Sequence, residues 1–228
     1  GYVFQNCTSL TEIDLPDSVE FIATRSFENT GLVSVKLPSS LKYLYQRPVL
    51  PSKGYSSWRS VSVTSTIATY FAAQFASCQN LTEVILPAGL EALGPGVFQD
   101  CPNLTRIVYD GYTGSGNALP ASLAEITGCA FKGVPITNLT VEGLTKAYNY
   151  AFSSADQLKS ITFANDCKIT EIPGYCFRYD AMLETVVLPD NITIIGTYAF
   201  SDCTALGFLT LPAKVTDCLL YTSDAADE

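Results

Sequence analysis

The residues whose type and spacing could do chemistry are four cysteines. Cys7, Cys78, Cys101 and Cys203 each stand three residues after a phenylalanine. Thiols at a repeated spacing could ligate a metal, pair as disulfides or act as nucleophiles. A zinc site needs several ligands converging on one point, whereas a slot used once per repeat sets its thiols in a column, with Cys78 and Cys101 on neighbouring units. The spacing therefore predicts a core ladder of free thiols behaving as small hydrophobes. Cys129, Cys167 and Cys176 share no slot and support no framework. Nucleophilic catalysis would need a base beside the thiol or hydroxyl, and the chain contains no histidine. The carboxylates Glu12 and Asp14 fall on an outward strand face, where solvated charge is the ordinary explanation. The Gly-rich run from Gly111 to Ala118 opens no helix and reads as no phosphate loop. The sequence predicts no catalytic residue, no metal and no cofactor.

The elements that position these residues are repeats. Phe4, Phe27, Phe75, Phe98, Phe131, Phe152, Phe177 and Phe200 recur mostly at 21 to 25 residues. In the clearest units, those of Phe4, Phe98 and Phe200, the phenylalanine is followed at the third position by Cys, at the sixth by Leu, and at the ninth and eleventh by apolar residues. Two apolar residues two apart suit a short strand with one face inward. Pro16, Pro38, Pro87, Pro120, Pro189 and Pro212 then belong at strand ends, because proline has no N–H for a continuing ladder. A second apolar pair, such as Val19 and Ile22, returns the chain to the core, and Gly94, Gly128 and Gly196 are expected to permit a tight corner.

Two intervals break the period. The 48-residue gap from Phe27 to Phe75 is twice the repeat, and Trp58, Val61, Val63, Ile67 and Tyr70 reproduce the spacing of Leu32, Val35, Leu37, Leu41 and Leu44. A further unit is expected there, giving nine. The 33-residue gap from Phe98 to Phe131 contains an insertion, Asp110 to Ala118, whose Gly and Ser content reads as a surface loop. The unit after Phe131 is shortened. Nine stacked strands would extend about 40 Å at the parallel strand spacing, each unit stable only against its neighbours. End coils are expected to fray near Phe4 and Val215.

A formal charge of −9 leaves no face suited to neutralising phosphates, so nucleic acid is not an expected partner. No apolar run is long enough to span a bilayer, and none is expected to insert in a membrane. Residues 218–228, CLLYTSDAADE, break the repeat pattern and resemble the translation of a transposase-type sequencing adapter. They are set apart from the repeat region, 1–217, which reads as an open fragment from environmental sequencing with both true ends missing.

The pattern F-x-x-C-x-x-L-x-x-I-x-L-P, best matched at Phe4 to Pro16 and Phe75 to Pro87, closely resembles the BspA-type leucine-rich repeats of about 23 residues, found in surface proteins of anaerobic bacteria and some parasitic protists. The resemblance implies a repeat solenoid with one short parallel β-strand per repeat and turns or short helical segments on the opposite side. It also implies adhesion or partner binding outside the cell, at a protein or glycan ligand. The outward strand columns are then the candidate surface. One runs Asp14, Lys36, Ser62, Ile85, Val108, Thr140, Thr162, Val187 and Thr210. The other runs Glu12, Ser34, Ser60, Glu83, Arg106, Asn138, Ser160, Thr185 and Phe208. Within them Glu83, Ile85, Arg106, Val108, Val187 and Phe208, with Tyr112 of the inserted loop, are the candidate contact residues. The competing reading is a passive spacer that presents another domain from the cell surface.

Overall fold

The computed structural model describes residues 1–44 and 73–218. Every strand pair in the described chain is parallel, so the backbone winds as a stack of flattened coils. A typical coil contributes a longer strand and, after a turn, a second strand of two residues.

The longer strands build two sheets. The first contains β1 (Ser34–Lys36), β3 (Glu83–Leu86) and β5 (Arg106–Tyr109), in that order. The second orders β12 (Thr185–Val187), β10 (Ser160–Phe163), β8 (Asn138–Val141) and β6 (Ala118–Leu119). The two-residue strands form the other wall: β2 (Tyr43–Leu44), β4 (Ala92–Leu93), β7 (Glu125–Ile126) and β9 (Lys146–Ala147) in one sheet, and β11 (Glu171–Ile172), β13 (Ile194–Ile195) and β14 (Asp217–Cys218) in another. The side opposite the long strands, expected to carry turns or short helical segments, holds turns and a second ladder of short strands among the described residues.

Proline does what its chemistry requires. Pro87 directly follows β3 and Pro120 directly follows β6, where the missing N–H removes no ladder bond. The proline carbonyl then closes a turn: Pro38, Pro87, Pro120 and Pro189 accept from Leu41, Leu90, Leu123 and Ile192 three residues on, and that residue's side chain is buried each time. The turn brings the second apolar pair back to the core.

Between the two walls runs one column of phenylalanines. Phe4, Phe27, Phe75, Phe98, Phe131, Phe152, Phe177 and Phe200 stack ring on ring at centroid separations between 5.2 and 6.3 Å. Burial and ring contact act together here, a stacked pair adding about 0.5–1.5 kcal/mol beyond its buried area. The backbone joins the coils at the same point: the N–H of Phe27, Phe75, Phe98, Phe152 and Phe177 donates to the carbonyl just before the phenylalanine of the next coil.

Phe27 stacks directly on Phe75, and Ser34 pairs directly with Glu83. The expected ninth unit, on Trp58, Val61, Val63, Ile67 and Tyr70, lies outside the described residues. The coils of Phe27 and Phe75 adjoin each other directly, and the described residues make eight coils.

The thiol ladder forms. Cys78, Cys101 and Cys203 donate from Sγ to the carbonyls of Phe27, Phe75 and Phe177, each at 3.0 Å. Cys78 and Cys101 are buried and Cys203 is half-buried, and each weak donor thereby satisfies a carbonyl of the preceding described coil. Cys7, in the first described coil, is exposed instead.

Tight corners are not made by the glycines singled out above. Two positions per coil adopt left-handed backbone, two residues before and two residues after the column phenylalanine. The first set includes Tyr2, Arg25, Ala73, Gly96, Cys129, Tyr150, Tyr175 and Tyr198, and the second Asn6, Asn29, Ser77, Asp100, Gly133, Ser154, Tyr179 and Asp202. Gly196 serves packing: a Cβ there would lie 2.5 Å from the Gly174 nitrogen and 2.7 Å from the Pro173 carbonyl carbon.

The first and last described coils lack the longer strand, although their flanks keep backbone bonds such as Val33 N–H to Thr11 O and Ala205 N–H to Ala181 O. Each has a neighbour on one side only among the described residues, so half of the burial that holds a strand in line is missing.

Candidate functional site

Strand pairing sets the outward columns in the order that the alternation predicts. Ser34, Glu83 and Arg106 are register partners, as are Lys36, Ile85 and Val108; beyond the insertion, Asn138, Ser160 and Thr185 follow one another, and Thr140, Thr162 and Val187 run beside them. Arg106 donates to Glu83 across the strands at 2.8 Å. Ile85 is half-buried, and Val187 is 46% exposed.

The insertion divides this face. After β5 the chain leaves the sheet at Asp110 and re-enters it at β6, whose Ala118 and Leu119 pair with Thr140 and Val141 of β8. One coil therefore offers β5 to the coil before and β6 to the coil after. The breach between them is closed by amides. Ile107 N–H donates to Asn117 Oδ1 at 2.7 Å, Asn117 N–H donates to Asn138 Oδ1 at 3.0 Å, and Thr140 N–H donates to the Asn117 carbonyl at 2.9 Å. Ala118, expected at the loop's end, is instead the first residue of β6.

The loop is tied down at both sides. Lys36, two strands away, pairs with Asp110 at 3.0 Å. The Tyr109 ring meets Tyr112 at 5.2 Å, and its hydroxyl donates to Glu142 Oε2 at 2.7 Å. The carboxylate acceptor favours the neutral phenol and pushes Tyr109 up to about 12. Tyr112 is half-buried in this arrangement.

Two candidate residues are corrected by the geometry. Val108 is in register with Ile85, yet only 4% exposed. The insertion leaves and re-enters the sheet beside it, and Ala118, which takes its register position toward the next coil, is buried as well. Val108 is thus buried packing and not part of the exposed column. The repeat spacing sets Phe208 beside Thr185, but residues 207–212 do not pair with β12. Phe208 is 80% exposed along an open cleft of about 560 Å³ between Glu184–Leu188 and the last coil.

Glu83, Ile85, Arg106 and Tyr112 thus lie on one side of the divided face, and Val187 stands on the other, in β12 at the far edge of the second sheet. Sequence reasoning missed Lys36–Asp110, Tyr109–Glu142 and the Asn117–Asn138 bridge. The available signal was an Asn ending a Gly/Ser run just before the strand resumes. Among the described residues no group of three His, Cys, Asp or Glu side chains comes together to hold a metal ion. No described helix is long and apolar enough to cross a membrane.

Parallel coils, a phenylalanine column and a thiol ladder recurring with one period agree with the family model for the BspA type leucine-rich repeat region, which matches residues 1–114 and 115–222 in six copies. The chain belongs to this family. Its fold is similar to that of a leucine-rich cell surface protein from Faecalibacterium prausnitzii, at 29% identity and a TM-score of 0.50. That match covers 60% of this chain and 35% of the other, so the chain spans about a third of that protein's length. A leucine-rich repeat protein from T. pallidum matches at 19% identity and a TM-score of 0.44, covering 76% of this chain and 78% of its own. One from Bacteroides ovatus matches at 17% identity and a TM-score of 0.40, covering 95% of this chain and 68% of its own. Among curated proteins none matches the chain.

Proposed function

We propose that this BspA-type repeat region is a recognition module of a microbial cell surface, binding a protein or glycan ligand through its divided strand face. The observation that carries the reading is the loop clamped onto that face. Lys36–Asp110 fixes the first residue of the Gly- and Ser-rich segment, and Tyr112 packs on Tyr109, whose hydroxyl Glu142 holds, an arrangement for which a passive spacer would have no use. A fixed loop on a rigid sheet loses little entropy on binding, which is what a recognition surface gains from being built in advance. The Glu83–Arg106 pair, Ile85 and Tyr112 on one side and Val187 on the other give a mixed polar and apolar surface suited to a specific partner. The family and the Faecalibacterium relative's description as a cell surface protein support the location.

The test is a pull-down of surface proteins and glycans with the wild-type chain and with a variant combining Ile85→Ser, Tyr112→Ala and Val187→Ser. Ligand lost from the variant, with circular dichroism unchanged, supports the face. A ligand retained in full moves binding elsewhere, and a chain that captures nothing favours the spacer.

A further inference from the structure

Asp110 is followed by Gly111, and no other Asp or Asn of the 228 residues precedes a glycine. The pair opens the inserted loop, where the chain leaves β5 through a turn closed by Tyr112 N–H to the Tyr109 carbonyl at 2.9 Å. Gly111 takes a left-handed φ of 87°, and a Cβ built on it would meet nothing within 4 Å. Its N–H donates no hydrogen bond among the described residues. The Asp110 side chain is 52% exposed and is held by Lys36 at 3.0 Å. A carboxyl group, an unengaged amide nitrogen one residue on and open space around that residue are what an attack of backbone on side chain needs. At the other aspartates a side chain on the following residue crowds the nitrogen; Asp17, for example, precedes Ser18, and its Oδ1 is already taken by the Ser39 N–H at 2.8 Å.

We propose that Asp110–Gly111 is a site of spontaneous covalent modification, at which the aspartate isomerises to isoaspartate and frees the loop from the strand face. The Gly111 nitrogen attacks Asp110 Cγ. The carboxyl hydroxyl and the amide proton leave as water, and a five-membered succinimide closes. Water then opens the ring at one of its two carbonyls. Cleavage of the new N–Cγ bond restores aspartate; cleavage of the bond between the nitrogen and the Asp110 main-chain carbonyl carbon leaves the chain running through Cγ. One water is lost and one is regained, so the mass is unchanged and no co-reactant is consumed. In the product the main chain is longer by one methylene and the free carboxylate sits directly on Cα. The Lys36 contact and the Tyr109–Tyr112 turn bond, both fitted to the original spacing, are then lost. Lys36 opposes the reaction, because the carboxyl must leave its ion pair to turn onto the nitrogen. The modification stands apart from recognition; only its effect on a ligand would rest on the function proposed above.

The test is to hold the 228-residue chain in warm, mildly acidic buffer for several weeks and to follow the peptide spanning Asp110 and Gly111 by electron-transfer mass spectrometry, which tells the β-linked bond from the ordinary one at equal mass. Isoaspartate should accumulate at Asp110 ahead of the other aspartates. Lys36→Ala removes the ion pair and should speed the accumulation by about twofold to fivefold, in line with what an exposed pair contributes. Asp110→Glu keeps a carboxylate for Lys36 but would have to close a six-membered ring, and should give no β-linked product in that peptide. Amide exchange across 111–117 should be faster in the aged chain than in the fresh one, with Glu83–Leu86 unchanged. Asp110 unmodified after this time, an equal rate in Lys36→Ala, or unchanged loop exchange in the aged chain would overturn the proposal. None of these measurements uses a ligand, so their failure is distinct from the failure of a pull-down.

Discussion

Replacing Asp180 with Asn should stabilise the protein, and by an amount that grows with pH. Asp180 stands three residues after Phe177, in the slot that Cys78, Cys101 and Cys203 fill in other coils. It is completely buried. Its Oδ1 accepts the Ala155 N–H at 2.9 Å, while Oδ2 has no partner among the described residues. The ionisable groups acting on it or on which it acts, Asp156, Cys129, Cys176 and Cys203, bring no positive charge. Burial therefore pushes the carboxyl up from 3.8 to about 8. The folded state holds this proton when the unfolded chain has released it, so the group's contribution to stability is whole below about pH 4 and is lost progressively up to about pH 8. At 1.36 kcal/mol per unit, the loss approaches roughly 4 kcal/mol at pH 7 and about 6 kcal/mol above pH 8. Asn keeps an oxygen for Ala155 and does not titrate. Urea unfolding followed by circular dichroism should give nearly equal stabilities for wild type and Asp180→Asn near pH 4, and a gap of several kcal/mol near pH 8. A gap that does not change with pH would mean that Asp180 is hydrated or paired in the folded state, and the burial explanation would fall.

Other perturbations have equally definite outcomes. Asn117→Ala removes the acceptor of the buried Ile107 N–H and should cost about 1–3 kcal/mol, with amide exchange at Ile107 and Thr140 accelerated. Glu142→Gln takes the carboxylate from Tyr109, and a spectrophotometric titration should show this phenol moving down from about 12 toward 10. Gly196→Ala forces a Cβ against the backbone of the neighbouring coil, at the Gly174 nitrogen and the Pro173 carbonyl carbon, and should lower stability by about 1–3 kcal/mol on thermal unfolding. Phe152→Ala opens the middle of the ring column and should cost about 3–5 kcal/mol, measured by urea unfolding.

The column and the strand face were legible because each rests on a period. A phenylalanine every coil, apolar residues two apart and a proline after them leave one way to bury the rings, and Glu83, Arg106, Asn138 and Thr185 fell into their columns accordingly. The direct pairing of Ser34 with Glu83 was not legible, because their separation in the sequence is about twice the ordinary step from one coil to the next. Val108 was misread because alternation gives the direction of a side chain and not what lies over it. The left-handed positions did carry a signal, in Asn6, Asn29, Asp100, Gly133 and Asp202 two residues after the phenylalanine. Tyrosine at the companion position hid it, since no propensity places a large ring at positive φ. Asp180 could also have been found by asking which residue fills the thiol slot in each unit.

If a partner binds at the divided strand face with its clamped loop, the amides of that face must be the ones it shields. Hydrogen exchange on the chain with and without a captured surface ligand reads this residue by residue. Protection should concentrate at Glu83–Leu86, Arg106–Tyr112 and Thr185–Val187, with the two-residue strands on the other wall unchanged. Protection confined to that other wall, with Arg106–Tyr112 exchanging as in the free protein, would rule out the strand face as the recognition surface.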